Sequence, residues 1–158
     1  MYKRILVPLD GSKLSEMALT HAGILAKGLD AEVVLLGVVE FLDHDLGDIP
    51  IEYAASAEAL DEWRHYLEHA ASSLRRANVS VTTFAISGRV ADAIIDFADK
   101  NKIDLIVMSA HGHSAAFRWL MGSVADKVMH GAHVPVLLIR EHKKPQVRIH
   151  PNPDPVHH

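Results

Sequence analysis

The sequence predicts an α/β fold in which an open, five-stranded parallel sheet carries helices on both faces. Short apolar segments alternate with segments of helical periodicity, the order that repeated β-α-β units produce. Right-handed crossovers in such units place helices on both faces of the sheet. The predicted strands are apolar at consecutive positions, as expected when both faces are covered. The chain has 158 residues, 49% of them hydrophobic and 23% charged, which suits one globular domain and excludes wholesale disorder.

The first half of the chain contains two predicted strands and two predicted helices. Branched apolar residues predict a strand at Arg4 to Leu9, and apolar residues three and four apart predict a helix over Leu14 to Leu25. A second apolar strand is predicted at Glu32 to Val39. Acidic residues, a glycine and a proline indicate a loop at Phe41 to Ile51, and helical spacing returns from Leu60 to Leu74.

The second half contains three predicted strands and two predicted helices. The strand at Val79 to Ile86 is more polar, which favours a place near a sheet edge. A helix is predicted to open at Gly88 with an apolar inner side. Further predictions are a strand at Ile103 to Met108, a helix at Gly122 to Gly131 and a strand at Val134 to Ile139.

The end of the chain differs in composition from the rest. Residues Glu141 to His158 hold four of the seven prolines and four of the twelve histidines and lack periodicity. We therefore expect a domain at residues 1–140 and an extended tail at residues 141–158.

Composition and charge exclude several classes of function. Sixteen basic against twenty acidic side chains give a formal charge of −4, which argues against a nucleic-acid-binding surface. The chain has no cysteine, hence no disulfide framework, thiolate metal site or thiol nucleophile. The first apolar segment is too short for a signal peptide, and no apolar run approaches the roughly 18 residues needed to span a membrane. We expect a cytoplasmic protein without membrane insertion.

The loop after the first strand is one place where chemistry is expected. In open parallel sheets, ligands bind beyond the carboxyl ends of strands where the strand order reverses. Gly11 permits a tight turn there, and Ser12 is placed to cap the following helix. Asp10 puts a carboxylate in the expected crevice, either as a ligand-binding group or as a turn-forming residue, and the sequence leaves both open.

The loop after the fourth strand is the second such place. Gly112 lies in the segment Ser109 to Ser114, and the pair Gly122 and Ser123 opens the next helix. Glycine lets backbone amides approach an anion, and a helix N-terminus adds its dipole and free N–H groups. Ser123 is predicted to offer its hydroxyl to a phosphate while also serving as N-cap. The arrangement is a phosphate cradle in two pieces, and it is neither a Walker A loop nor the dinucleotide fingerprint.

Polar side chains around this cradle have two interpretations each. His111 and His113 bracket Gly112, but two histidines without a nearby acidic or third histidine ligand rarely form a strong metal site. Hydrogen bonding to phosphate or solvent is the favoured interpretation. Arg118 either neutralises phosphate charge or is a solvated side chain. A bound Mg²⁺ would be held by phosphate oxygens and water, with at most one carboxylate.

Over residues 2 to 140 the chain resembles the universal stress protein family. The resemblance is carried by Ile5 to Ser12, Asp104 to Met108, His111 and Gly112, Arg118 to Ala125, and Val134 to Leu138. It implies a parallel sheet of order 3-2-1-4-5 and, in one branch of the family, ATP bound between strands one and four. That branch carries the pattern Gly-x-x-Gly-x9-Gly-Ser/Thr.

The match to the ATP-binding pattern is incomplete. The second and third glycines fall on Gly112 and Gly122, and Ser123 follows, but the first glycine position holds Ser109. A serine there adds a β-carbon and a hydroxyl close to the expected nucleotide, which either crowd the ligand or hydrogen-bond it.

The same resemblance implies a role for each site residue. Asp10 would face the adenosine, the backbone of Val38 would meet adenine, and Met108 and Ser109 would flank the sugar and phosphates. The candidate nucleotide-binding residues are Pro8, Leu9, Asp10, Val38, Met108, Ser109, His111, Gly112, His113, Arg118, Gly122, Ser123 and Val124.

The last predicted strand indicates how the protein assembles. Val134 to Ile139 is apolar throughout, and Pro135 suits a strand start or a sheet edge because it donates no ladder hydrogen bond. Exposed apolar edges invite pairing with another chain. We expect a homodimer through this strand, with the tail leaving from the seam.

Two hypotheses of function follow. The first is an ATP-binding regulator in the stress response, using Mg²⁺ if a metal is needed and acting on an unidentified client protein. Hydrolysis would be slow at most, since no general base or metal-ligand set is apparent in the sequence. The second is a nucleotide-free dimeric interaction module in which Ser109 marks the loss of the site.

Overall fold

The computed structural model describes residues 1–40, 56–111 and 121–141, which form a five-stranded parallel sheet with helices on both faces. In chain order the elements are β1 (Arg4–Leu9), α1 (Lys13–Leu29), β2 (Glu32–Glu40), α2 (Ala57–Arg76), β3 (Val81–Gly88), α3 (Val90–Lys100), β4 (Leu105–Ser109), α4 (Ser123–Gly131) and β5 (Val136–Ile139). The strand order β3-β2-β1-β4-β5 confirms the predicted fold class. The predicted loop at residues 41–51, and the predicted tail apart from Glu141, lie outside the described residues.

Two strands begin later than predicted because the preceding helices end in a left-handed turn. Asn78 and Lys102 have φ values of 61° and 54°. The amide of Val79 then donates to Leu74 O at 3.0 Å, and that of Ile103 to Ala98 O at 3.2 Å. This is the Schellman helix end, which places an apolar residue against the core. The apolar character of Val79 and Ile103 therefore reflects helix termination, and β3 and β4 begin two residues further on.

Other predicted bounds also shift. The strand β5 begins at Val136, because Pro135 has no N–H and contributes only its carbonyl, which accepts from Ile106 N at 3.0 Å. The helix α3 begins at Val90 with Arg89 as N-cap, so Gly88 ends β3 instead of opening the helix.

Alternate side chains of the strands pack on opposite faces of the sheet. In β1, Ile5 and Val7 contact the layer formed by α1 and α2, whereas Leu6 contacts the layer formed by α3 and α4. Both layers are buried, which agrees with strands that are apolar at consecutive positions. At the amino end of the sheet the Asp104 carboxylate accepts from Lys3 N at 2.8 Å and from Arg4 N, so β1 and β4 are aligned there.

The two edge strands were placed correctly from the sequence. β3 and β5 lie at opposite edges, with Phe84 of β3 38% exposed and Leu137 of β5 39% exposed. In the part of the chain that is described, none of the helices is both long and apolar enough to cross a membrane.

Candidate functional site

A cleft of about 480 Å³ opens at the carboxyl ends of β1, β2 and β4. The strand order reverses between β1 and β4, so the cleft lies at the topological switch point, where ligands bind in such sheets. Its volume is within the range of small-molecule sites. The lining residues are Pro8, Leu9, Asp10, Ser15, Leu36, Val38, Glu40, Trp63, Val90, Ile94, Met108, Ser109, Ala110, His111, Gly122, Ser123, Val124 and Ala125.

The loop between β1 and α1 is shaped by hydrogen bonds to short polar side chains. Asp10 Oδ1 accepts from Ser12 N at 2.9 Å and from the Ser12 hydroxyl. The Ser12 hydroxyl oxygen in turn accepts from Ser15 N at 3.1 Å, which confirms Ser12 as the N-cap of α1. Gly11 has φ +84°, the left-handed conformation that favours glycine. Asp10 is thus a turn-forming residue that also lines the cleft, and its contact with a ligand stays a prediction.

A main-chain hydrogen bond joins the end of β4 to the start of α4. Gly122 N donates to Ala110 O at 2.8 Å, which holds the start of α4 beside the end of β4. Ser109 is buried, and its hydroxyl donates to His111 O at 2.7 Å. The serine at the first glycine position is therefore bonded within its own loop.

The helix α4 begins with Gly122, not Ser123, as N-cap. The carbonyl of Gly122 accepts from Asp126 N at 2.9 Å, while its φ of −59° and ψ of 150° are extended. Ser123 is therefore the first helical residue, and the prediction that it caps α4 is wrong. A glycine N-cap has no side chain to accept from the first-turn amides.

The helices differ in how their first turns are capped. The serine N-caps of α1 and α2, Ser12 and Ser56, accept main-chain hydrogen bonds from Ser15 and Ala59. The N-caps of α3 and α4 make no side-chain cap hydrogen bond, and the first turns of these two helices line the cleft. Their dipoles and first-turn N–H groups make this cleft suited to an anion.

Among the described residues, the charged side chains of the cleft walls are acidic. Asp10 and Glu40 are the carboxylates among the described lining residues, and no described lysine or arginine lines the cleft. An anionic ligand here would be attracted by helix termini and backbone amides. A divalent cation between phosphates and one of these carboxylates would lower the repulsion.

Comparison with known proteins agrees with this architecture. The model of the universal stress protein family matches residues 1–140. The chain belongs to the universal stress protein family. A universal stress protein of Methanocaldococcus jannaschii is 37% identical over 147 residues, covering 91% of this chain and 85% of the relative.

Solved structures of similar proteins share the fold. Hypothetical protein MJ0577 of the same organism has a TM-score of 0.77 and 26% identity, covering 91% of this chain and 99% of that one. The universal stress protein of Archaeoglobus fulgidus, solved in complex with dAMP, has a TM-score of 0.67 and 23% identity, covering 88% of this chain and 98% of its own.

Most of the residues that the family resemblance indicated line the cleft. They are Pro8, Leu9, Asp10, Val38, Met108, Ser109, His111, Gly122, Ser123 and Val124. Gly112, His113 and Arg118 lie outside the described residues. Within the described ranges, no group of three or more His, Asp or Glu is placed to hold a metal ion.

Sequence reasoning missed the wall that α2 contributes. Trp63 lines the cleft and packs over Gly37 of β2, and its ring meets Tyr66 edge-on with centroids 5.5 Å apart. The Tyr66 hydroxyl donates to Glu16 at 2.9 Å, and burial together with this carboxylate raises the pKa of Tyr66. An isolated glycine within an apolar strand was the available signal, since it indicates a close approach.

Proposed function

We propose that the protein binds ATP in this cleft and acts as a nucleotide-dependent regulatory dimer in the stress response. The observation that carries the proposal is the first turn of α4, which lacks a side-chain cap and opens into a cleft at the switch point. A triphosphate is the kind of anion that such a terminus attracts. The fold also accommodates an adenine nucleotide in the solved relative that contains dAMP.

Each wall of the cleft has a role in this proposal. The amides at the start of α4 and the Ser123 hydroxyl hold the phosphates, together with Gly112, His113 and Arg118, which lie outside the described residues. Asp10 faces the adenosine, and the backbone of Val38 at the end of β2 contacts the base. If Mg²⁺ accompanies the nucleotide, it is bound mainly by phosphate oxygens and water, with at most one carboxylate.

The site favours binding over rapid turnover. The Asp10 carboxylate is bonded to the Ser12 amide and hydroxyl, contacts that shape the turn. A general base must reach the attacking water with a suitable pKa. The proposed hydrolysis is therefore slow at most, and the bound state itself is the signal to a client protein.

The proposed assembly is a homodimer through β5, in the cytoplasm. β5 is an edge strand, and Leu137 is 39% exposed on it. An apolar edge of this kind is protected when it pairs with a second copy.

A second candidate is a nucleotide-free dimeric interaction module. The observation that favours it is Ser109, whose side chain lines the cleft where the ATP-binding pattern has glycine. The hydrogen bond from its hydroxyl to His111 O fixes that side chain in the loop.

Ligand binding separates the two candidates. We expect ATP with Mg²⁺, at about 100 times its dissociation constant, to raise the melting temperature by about 5–10 °C, since occupancy at that ratio adds about 2.7 kcal/mol. The affinity is expected to fall from ATP to ADP to AMP, because each phosphate lost removes contacts with α4. Nucleotide released on denaturing the purified protein is a second readout. A folded dimer that carries no nucleotide and ignores millimolar ATP would support the interaction module.

A further inference from the structure

A tryptophan from α2 lies directly on the backbone of β2. A β-carbon added at Gly37 would stand 2.5 Å from Cε3 of Trp63 and 3.1 Å from Cζ3, so the indole occupies the space that any other residue would need. Gly37 is buried within an apolar strand, where glycine weakens the sheet. A glycine at this position is explained by the close packing of the indole, which leaves no room for a β-carbon.

The indole also contacts a second aromatic ring of α2. Tyr66, one turn further along α2, meets Trp63 edge-on at an interplanar angle of 88°. The Tyr66 hydroxyl is anchored to Glu16 of α1. A tryptophan seated on a strand and braced by an anchored tyrosine is a rigid wall, and rigid aromatic side chains bind ligands at low entropic cost.

Trp63 of α2 and the first turn of α4 both line the cleft, and their helices pack on opposite faces of the sheet. The first turn of α4 follows β4, whereas Trp63 stands over β2, and β1 lies between these two strands. Neighbouring strands are about 4.8 Å apart, so β2 and β4 are separated by roughly 10 Å within the sheet. In the proposed binding mode, a nucleotide with its phosphates at α4 would cross β1 and bring its base to the end of β2.

We infer that Trp63 forms the wall against which the base of the bound nucleotide packs, and that Gly37 is the notch that seats the indole. The inference rests on the proposed nucleotide binding and adds a residue that determines the preference for a base-bearing ligand. Aromatic side chains pack well against the flat face or edge of a base. Inorganic tripolyphosphate has no base, so a contact with Trp63 does not raise its affinity.

A double-mutant cycle on this pair tests the inference. We expect Trp63→Ala to weaken ATP binding about tenfold or more, as loss of an aromatic contact to a base does, and to change tripolyphosphate binding by less than about twofold. Gly37→Ala displaces the indole without itself reaching the ligand, so it is expected to weaken ATP binding in the native chain. Since Trp63 supplies the three atoms nearest to the added carbon, Gly37→Ala is expected to have no further effect in the Trp63→Ala background.

The outcomes distinguish this inference from the proposed function. If the native protein binds no ATP in calorimetry, both fail. If it binds ATP and Trp63→Ala binds it equally well, nucleotide binding stands and Trp63 is only a packing residue. Trp63→Leu keeps much of the side-chain volume and makes the same distinction if the alanine variant does not fold.

Fluorescence gives an independent readout of the contact. In a Trp119→Phe chain, which leaves Trp63 as the remaining one of the two tryptophans of the sequence, ATP but not tripolyphosphate is expected to change the Trp63 fluorescence.

Discussion

Replacing Gly122 with valine is expected to weaken ATP binding by about 100-fold or more while the fold is retained. The valine side chain stands at the first turn of α4, where the phosphates are proposed to meet backbone amides. Losing one or two hydrogen bonds to a charged group costs about 1.5–3 kcal/mol each, and 2.8 kcal/mol is about 100-fold in affinity. The backbone of Gly122 has φ −59° and ψ 150°, which valine also adopts, so the bond from its N–H to Ala110 O is retained.

The same substitution at Gly28 is the matched control. Gly28 lies on α1, and a β-carbon there would meet nothing within 4 Å. Gly28→Val is therefore expected to bind ATP as the native chain does. Calorimetry measures both affinities, and circular dichroism measures the fold. Native affinity in a folded Gly122→Val protein would place the phosphates somewhere other than at α4.

Replacing Leu137 with arginine is expected to separate the proposed dimer into monomers. In a two-fold interface through β5, the substitution buries two uncompensated charges, and each costs several kcal/mol. A loss of about 3 kcal/mol or more corresponds to about 100-fold weaker association. Since Leu137 is 39% exposed in the single chain, the stability of the monomer is expected to change little.

Phe84 on the opposite edge of the sheet provides the control. Its exposure of 38% matches that of Leu137, and Phe84→Arg loses a ring contact with Phe97 at 5.2 Å. This variant is expected to be less stable to urea and still dimeric. Sedimentation velocity at micromolar concentration measures both masses. Monomers from Phe84→Arg and dimers from Leu137→Arg would assign the interface to β3.

The periodicity of the sequence was sufficient to predict five strands and four helices in their order along the chain, whereas the strand order in the sheet came from the family resemblance. The periodicity failed to place the start of a strand where an apolar residue belongs to the end of the preceding helix. Val79 and Ile103 are apolar because they close Schellman helix ends, and local pattern does not distinguish that from the start of a strand. The last strand also begins later than predicted, at Val136, because Pro135 has no N–H to donate to the neighbouring strand.

Prediction of the site was limited by contacts between distant segments. The loops after β1 and β4 were found because their glycines and short polar residues adjoin predicted strand ends. The wall formed by Trp63 was missed, because its contact with Gly37 joins segments 26 residues apart and depends on the orientation of α2. The N-cap of α4 was assigned to Ser123 on residue preference, and the backbone conformation assigns it to Gly122.

The amide chemical shifts of the first turn of α4 test main-chain recognition of phosphate most directly. When ATP with Mg²⁺ is added to the ¹⁵N-labelled protein, the amides of Ser123, Val124 and Ala125 are expected to show the largest changes. Tripolyphosphate is expected to reproduce these changes, and adenosine is not. Saturating ATP that leaves all three amides unmoved while other signals shift would contradict binding of the phosphates at α4.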